Sequence, residues 1–137
     1  MKSRKTRVLC VDDDPETNDI HTLVLKREAD IEVVGAVSEV EQILPALDAL
    51  VPDVVLLDLQ LGAEGPIHLL QEIAGRTPRV HVIIISGFDQ PELIERVLEA
   101  GASGFVTKAV DLHTLAPAIR RVVVGEQPIV SRLGRRP

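Results

Sequence analysis

Aromatic side chains are nearly missing from this chain: two Phe, no Tyr and no Trp occur among 137 residues. Recognition of bases or sugars by ring stacking is thereby all but excluded. A single cysteine, Cys10, rules out an internal disulfide, and its place in the run Val8-Leu9-Cys10-Val11 predicts a buried thiol. Long hydrophobic runs are absent too. No aliphatic stretch is longer than four residues, as at Val82 to Ile85, far short of the ~20 residues a membrane span needs, so no membrane is expected among the partners. No signal-peptide pattern follows the basic start, which makes a cytoplasmic location the expectation. Positive charge is scarce in the body of the chain. The net charge is −6, but Lys2, Arg4, Lys5 and Arg7 at one end and Arg132, Arg135 and Arg136 against Glu126 at the other leave −12 on residues 8–125. Such a body repels a phosphate backbone, and no direct binding of nucleic acid is expected.

What is present is a βα rhythm. With 45% hydrophobic residues, the length predicts one domain with a real core. We place a basic tail at residues 1–6, the domain at 7–125, and a tail or the start of a linker at 126–137. β-Branched runs at Val8 to Val11, Glu32 to Val37, Val54 to Leu57, Val80 to Ile85 and Gly104 to Thr107 start 22 to 26 residues apart, with helical spacing between them. The first helix should be capped by Asp14 with Pro15 at its first position, and should turn Ile20, Leu23 and Val24 inward. Ser38 with Glu41, Asp89 with Glu92, and Asp111 are the caps expected for the second, fourth and fifth helices, and Gly101 the end of the fourth. Pro45 and Pro117 conflict with those starts, so the two helices begin later or bend. Strands without clear alternation, each followed by a helix, imply a parallel sheet covered on both faces. The expected fold is α/β: a doubly wound, five-stranded parallel sheet of order 2-1-3-4-5, a flavodoxin-like (βα)5 arrangement.

That order makes the first and third strands neighbours. Their carboxyl ends carry Asp12, Asp13 and Asp14 on one side and Asp58 on the other, so Asp12, Asp13 and Asp58 converge. Carboxylates so placed repel one another, and a hard divalent cation relieves the repulsion; Mg²⁺ suits a site with few protein ligands and retained waters. The fourth strand ends at Ser86 and the fifth at Lys108, adding a hydroxyl and an ammonium to the same rim. Both can donate to phosphoryl oxygens, which makes Asp58 the candidate nucleophile for an aspartyl phosphate. Each residue also has an ordinary structural use, but all five on one rim favour function. His21, His68, His81 and His113 show no metal-ligand spacing and read as surface or edge residues.

The set Asp12-Asp13, Asp58, Ser86 and Lys108, with the segment Ala100-Gly101-Ala102-Ser103-Gly104-Phe105-Val106-Thr107-Lys108, resembles the CheY-like receiver domain of bacterial two-component response regulators over about residues 6–125. The end Ile119 to Glu126 resembles the NarL/FixJ-type group. The resemblance implies that Asp58 accepts a phosphoryl group from a histidine kinase or phosphotransfer protein. Asp12, Asp13, Asp58 and the backbone carbonyl of Gln60 would hold Mg²⁺. Lys108 would pair with the acceptor, while Ser86 and Phe105 would act as switch residues biasing the face of helix four, strand five and helix five. It further implies a signalling module rather than an enzyme, a possible homodimer, and a DNA-binding output domain, for which the 12 residues after Gly125 are too few. The chain departs from the pattern where Leu61-Gly62-Ala63-Glu64-Gly65 lacks the usual Met-Pro and where Ala109 follows Lys108. Two alternatives stand beside this reading. One is a haloacid-dehalogenase-like phosphatase, whose acidic motif Glu16 interrupts; the other is a receiver-like interaction module that is never phosphorylated.

Overall fold

A computed structural model describes residues 4–58, 67–108 and 111–132, and the backbone of residues 134–136. The strands are β1 (Thr6–Val11), β2 (Ile31–Val37), β3 (Val54–Asp58), β4 (His81–Ser86), β5 (Gly104–Thr107), β6 (Ile129–Ser131) and β7 (Gly134–Arg136). The helices are α1 (Pro15–Leu25), α2 (Ile43–Leu50), α3 (Ile67–Ala74), α4 (Pro91–Glu99) and α5 (Leu115–Val123). The sheet runs β2-β1-β3-β4-β5-β6-β7, parallel as far as β6, with β7 antiparallel at the edge. No helix among the described residues is long and apolar enough to cross a membrane.

The inner strands are apolar along most of their length because each side of the sheet is covered there. Leu9, Val11, Val55, Leu57, Ile84 and Phe105 face one core layer with Ile43 and Leu47 of α2, Leu70 and Ile73 of α3, and Val97 of α4. Their neighbours Val8, Cys10, Val54, Leu56, Ile83 and Ile85 face the other, with Leu25 of α1 and Leu115, Ile119 and Val122 of α5. A period of two is thus present along each strand, hidden because both faces are buried.

Five strands in the order 2-1-3-4-5 were expected, and that order is present, but the sheet does not stop there. β6 lies within the segment read as a tail, and β7 follows it. Gly125, at φ +91°, turns the chain after α5, and the Phe105 N–H then donates to the Pro128 carbonyl at 2.9 Å. Ile129 and Val130 are only two β-branched residues, too short a run between Pro128 and Ser131 to register as a periodic strand.

The proline conflict resolves through late starts. Short 3₁₀ turns at Val40–Gln42 and Leu112–Thr114 precede α2 and α5, so Pro45 and Pro117 occupy the first turns of those helices, where an N–H has no intrahelical acceptor. Asp14 caps α1 as expected, accepting from the Glu16 N–H at 3.0 Å, and Gly101, at φ +116°, follows the end of α4. Other expectations need correction. Ile20 and Leu23 are 47% and 61% exposed, whereas Asn18, His21 and Leu25 form the buried side of α1. The cause is polar: Asn18 Nδ2 donates to the carbonyls of Asp12 and Val37, both at 3.1 Å, and this rotates the helix. His21 is therefore buried, not at the surface. The box before α2 joins Glu39 to Gln42 rather than Ser38 to Glu41. Gln90 holds the N-cap position of α4, because Asp89 is engaged elsewhere.

Candidate functional site

Adjacent parallel strands deliver their last residues to one rim. Register pairs Val11 with Leu57, so the next residues, Asp12 and Asp58, stand side by side. Asp12, Asp13 and Asp58 each offer one carboxylate oxygen, and these oxygens lie within 4.8 Å of one another. Asp12 and Asp58 are each 2% exposed, while Asp13 is open to solvent. Lys108 Nζ lies 3.4 Å from Asp12 Oδ2 and 3.5 Å from Asp58 Oδ1. Its backbone is fixed by donation of the Lys108 N–H to the Ser86 carbonyl at 2.7 Å.

Two buried carboxylates and an exposed third face one ammonium, leaving an excess of negative charge in a poorly hydrated place. Asp12 Oδ1 accepts from the Asp14 N–H at 3.0 Å, but among the described residues the buried Asp12 Oδ2 has no hydrogen-bond partner, only its ion pair with Lys108. An all-oxygen donor set, with a buried oxygen that receives no hydrogen bond from the described residues, fits a small hard dication such as Mg²⁺. Ser86 is fully buried, and its Oγ accepts from the Phe88 N–H at 3.0 Å, which ties the turn after β4. Phe105 is fully buried in the layer under α4. Gln60, the loop around it, and Ala109 lie outside the described residues.

Three neighbours escaped the sequence reading. His21 and Lys108 line one cavity of about 290 Å³ with Thr17, Ile20 and Leu112. Burial lowers the pKa of His21; Asp12 opposes that shift and Lys108 adds to it. The signal that could have found it is the four-residue spacing of His21 from Leu25, which puts the two on one helix face. Asn18, which donates to the carbonyls of Asp12 and Val37, was not singled out by any motif. The third is the pair of Arg132 with the buried Asp89, side chains 43 residues apart, for which no local pattern exists. Cys10 meets its expectation, for burial pushes its thiol pKa up to about 11.

The sequence pattern for the response regulator receiver domain matches residues 8–120. The chain belongs to the response regulator receiver family. This receiver domain is 30% identical over 132 residues to the response regulator GacA of Pseudomonas aeruginosa, a match covering 94% of the chain and 60% of that protein. It is 32% identical over 104 residues to the transcriptional regulatory protein YvfU of Bacillus subtilis, covering 76% and 52%. The receiver thus spans about half to three-fifths of the length of these curated relatives. Among solved structures it matches the signal receiver domain of the response regulator NarL from Mycobacterium tuberculosis, with TM-score 0.83 and 25% identity over 90% of this chain and 100% of that one. A LuxR-family response regulator from Aurantimonas sp. SI85-9A1 matches with TM-score 0.85 and 26% identity over 93% and 91%. Family membership makes the chain a receiver domain of two-component signalling, similar to receivers of NarL- and LuxR-type regulators, and replaces the haloacid-dehalogenase-like reading.

Proposed function

We propose that this receiver is a phosphoacceptor switch in which Asp58 takes a phosphoryl group from a histidine kinase or phosphotransfer protein. The observation that carries the reading is the convergence of Asp12, Asp13 and Asp58 within 4.8 Å, with Lys108 Nζ about equally far from the two buried carboxylates. An oxygen of Asp58 attacks phosphorus in line as the P–N bond of the donor phosphohistidine breaks and the imidazole departs with the bonding pair. Asp12 and Asp13, with Asp58 and the Gln60 carbonyl, would hold Mg²⁺, which when bound neutralises charge on the transferring group. Lys108 already pairs with Asp58, and the same ammonium then faces the phosphoryl oxygens. Ser86 supplies the hydroxyl that turns toward them, with Phe105 packed behind it. The surface of α4, β5 and α5 carries the change onward, to an output domain or to a second copy of the chain.

Such a switch needs interactions that differ between its two states, since contacts equal in both shift nothing. The differential contacts here are those of Ser86 and Lys108 with the phosphoryl oxygens. Incubation with acetyl phosphate and Mg²⁺, read by intact mass, is expected to add one phosphoryl group, and Asp58→Asn to abolish the gain. No gain in the unaltered chain, or the same gain in the variant, overturns the proposal and leaves the never-phosphorylated interaction module in its place.

A further inference from the structure

β6 occupies the side of β5 that a five-stranded sheet leaves open. Phe105 pairs with Ile129 and Val106 with Val130. The contact is close: a Cβ on Gly104 would stand 3.1 Å from both Cγ and O of Pro128. Ile129 packs against the layer that contains Phe105, and Val130 is buried in the other. Just past β6 comes Arg132. Its main-chain N–H donates to Asp89 Oδ2 at 2.7 Å, Nη2 donates to Asp89 Oδ1 at 2.6 Å, and Nε reaches both oxygens at 3.2 Å. Asp89 is 5% exposed, and these bonds hold its carboxyl below the usual carboxylate range. A carboxylate so buried depends on its partners.

Asp89 sits on the turn that Ser86 controls. Ser86 Oγ now accepts from the Phe88 N–H, one residue before Asp89. When that hydroxyl turns toward a phosphoryl oxygen, the turn loses its present tie and Asp89 moves with it. The fork of bonds to Arg132 is directional, so a displacement of either partner weakens all of it together.

We propose that β6 is a strap latched to the body by Arg132 and Asp89, and that phosphorylation unlatches it through Ser86 and uncovers the β5 edge. The inference rests on the phosphoacceptor reading of Asp58. By linkage the latch also opposes the phosphorylated state, so Arg132→Ala favours that state by the factor through which phosphorylation weakens the strap.

The test is hydrogen exchange of the full chain, read on peptides spanning residues 126–132, with Mg²⁺ alone and with Mg²⁺ plus acetyl phosphate. Intact mass of the same samples reports the phosphoryl group. Exchange there is expected to quicken roughly tenfold on phosphorylation, within the ~5–150-fold range usual for coupled sites. Asp58→Asn should show no response, and Arg132→Ala should exchange fast without donor. A phosphoryl gain with unchanged protection of 126–132 overturns the strap alone, and this comparison needs no variant. Absence of a gain overturns the phosphoacceptor reading, and the trigger of the strap falls with it.

Discussion

His21 is an ionisable ring on the buried side of a helix, and its burial makes folding depend on pH. Burial lowers its pKa from the ordinary 6.5, Asp12 pulls it up and Lys108 pushes it down, with the lowering dominant. His81 is lowered as well, by burial and then by Arg79, against a weaker pull from Asp53. A group with a depressed folded pKa binds its proton more readily when unfolded, so below about pH 6.5 the unfolded state holds more protons and stability rises with pH. The urea midpoint of the metal-free chain is therefore expected to fall as pH drops from about 7 to about 5. His21→Gln should flatten that slope, and an unchanged slope would show that His21 contributes none of it. Sequence spacing had shown only that the four histidines form no metal set. Burial of one of them depended on how Asn18 orients α1, which is a tertiary contact.

Val51 plays the corresponding part at the scale of an element. It ends α2 in the left-handed region, at φ +46° and ψ +61°, with its N–H bonded to the Leu47 carbonyl. A β-branched residue pays a steric cost there of ~1–2 kcal/mol, while glycine adopts the conformation freely but has more freedom to lose on folding. The side chain is half exposed, so little packing is lost with it. Val51→Gly is expected to raise stability by about 0.5–1 kcal/mol, seen as a higher urea midpoint at constant slope. A lower midpoint would mean that the Val51 side chain holds the turn. Elements were legible where local chemistry decides them. Asp14-Pro15 starts α1, Gly101 follows α4, and the β-branched runs mark the first five strands. They were misread where a different partner wins, near in the chain or far. Gln42 reaches back to the N–H groups of Ser38 and Glu39, and Asp89 leaves the start of α4 for Arg132.

Across the whole molecule, the rim was readable because parallel order turns distance along the chain into proximity. Asp12, Asp58, Ser86 and Lys108 each stand at or just past the end of a strand, so knowing the order sufficed to bring them together. The clamp of Arg132 on Asp89 had no such rule behind it, since it depends on a sixth strand that periodicity did not reveal. The same topology concentrates unfavourable charge. Folding forces three carboxylates together against one ammonium, and a cation bound only by the folded chain must stabilise it by mass action. If the rim holds Mg²⁺ as proposed, the ion at about 100 times its dissociation constant is expected to add ~2.7 kcal/mol, a rise in melting temperature on the order of 10 °C for a domain of this size. Asp13→Ala removes an exposed carboxylate of the cluster without opening the core and should lose most of the rise. Sodium chloride at matched ionic strength separates binding from screening, which acts on exposed charges over about 8–10 Å. Lys108→Ala should lower the midpoint without Mg²⁺, because Asp12 and Asp58 then lose their shared ammonium, and should enlarge the Mg²⁺-dependent rise as the ion takes over that role. A rise reproduced by sodium chloride, or one undiminished in Asp13→Ala, would mean that this rim does not hold the ion.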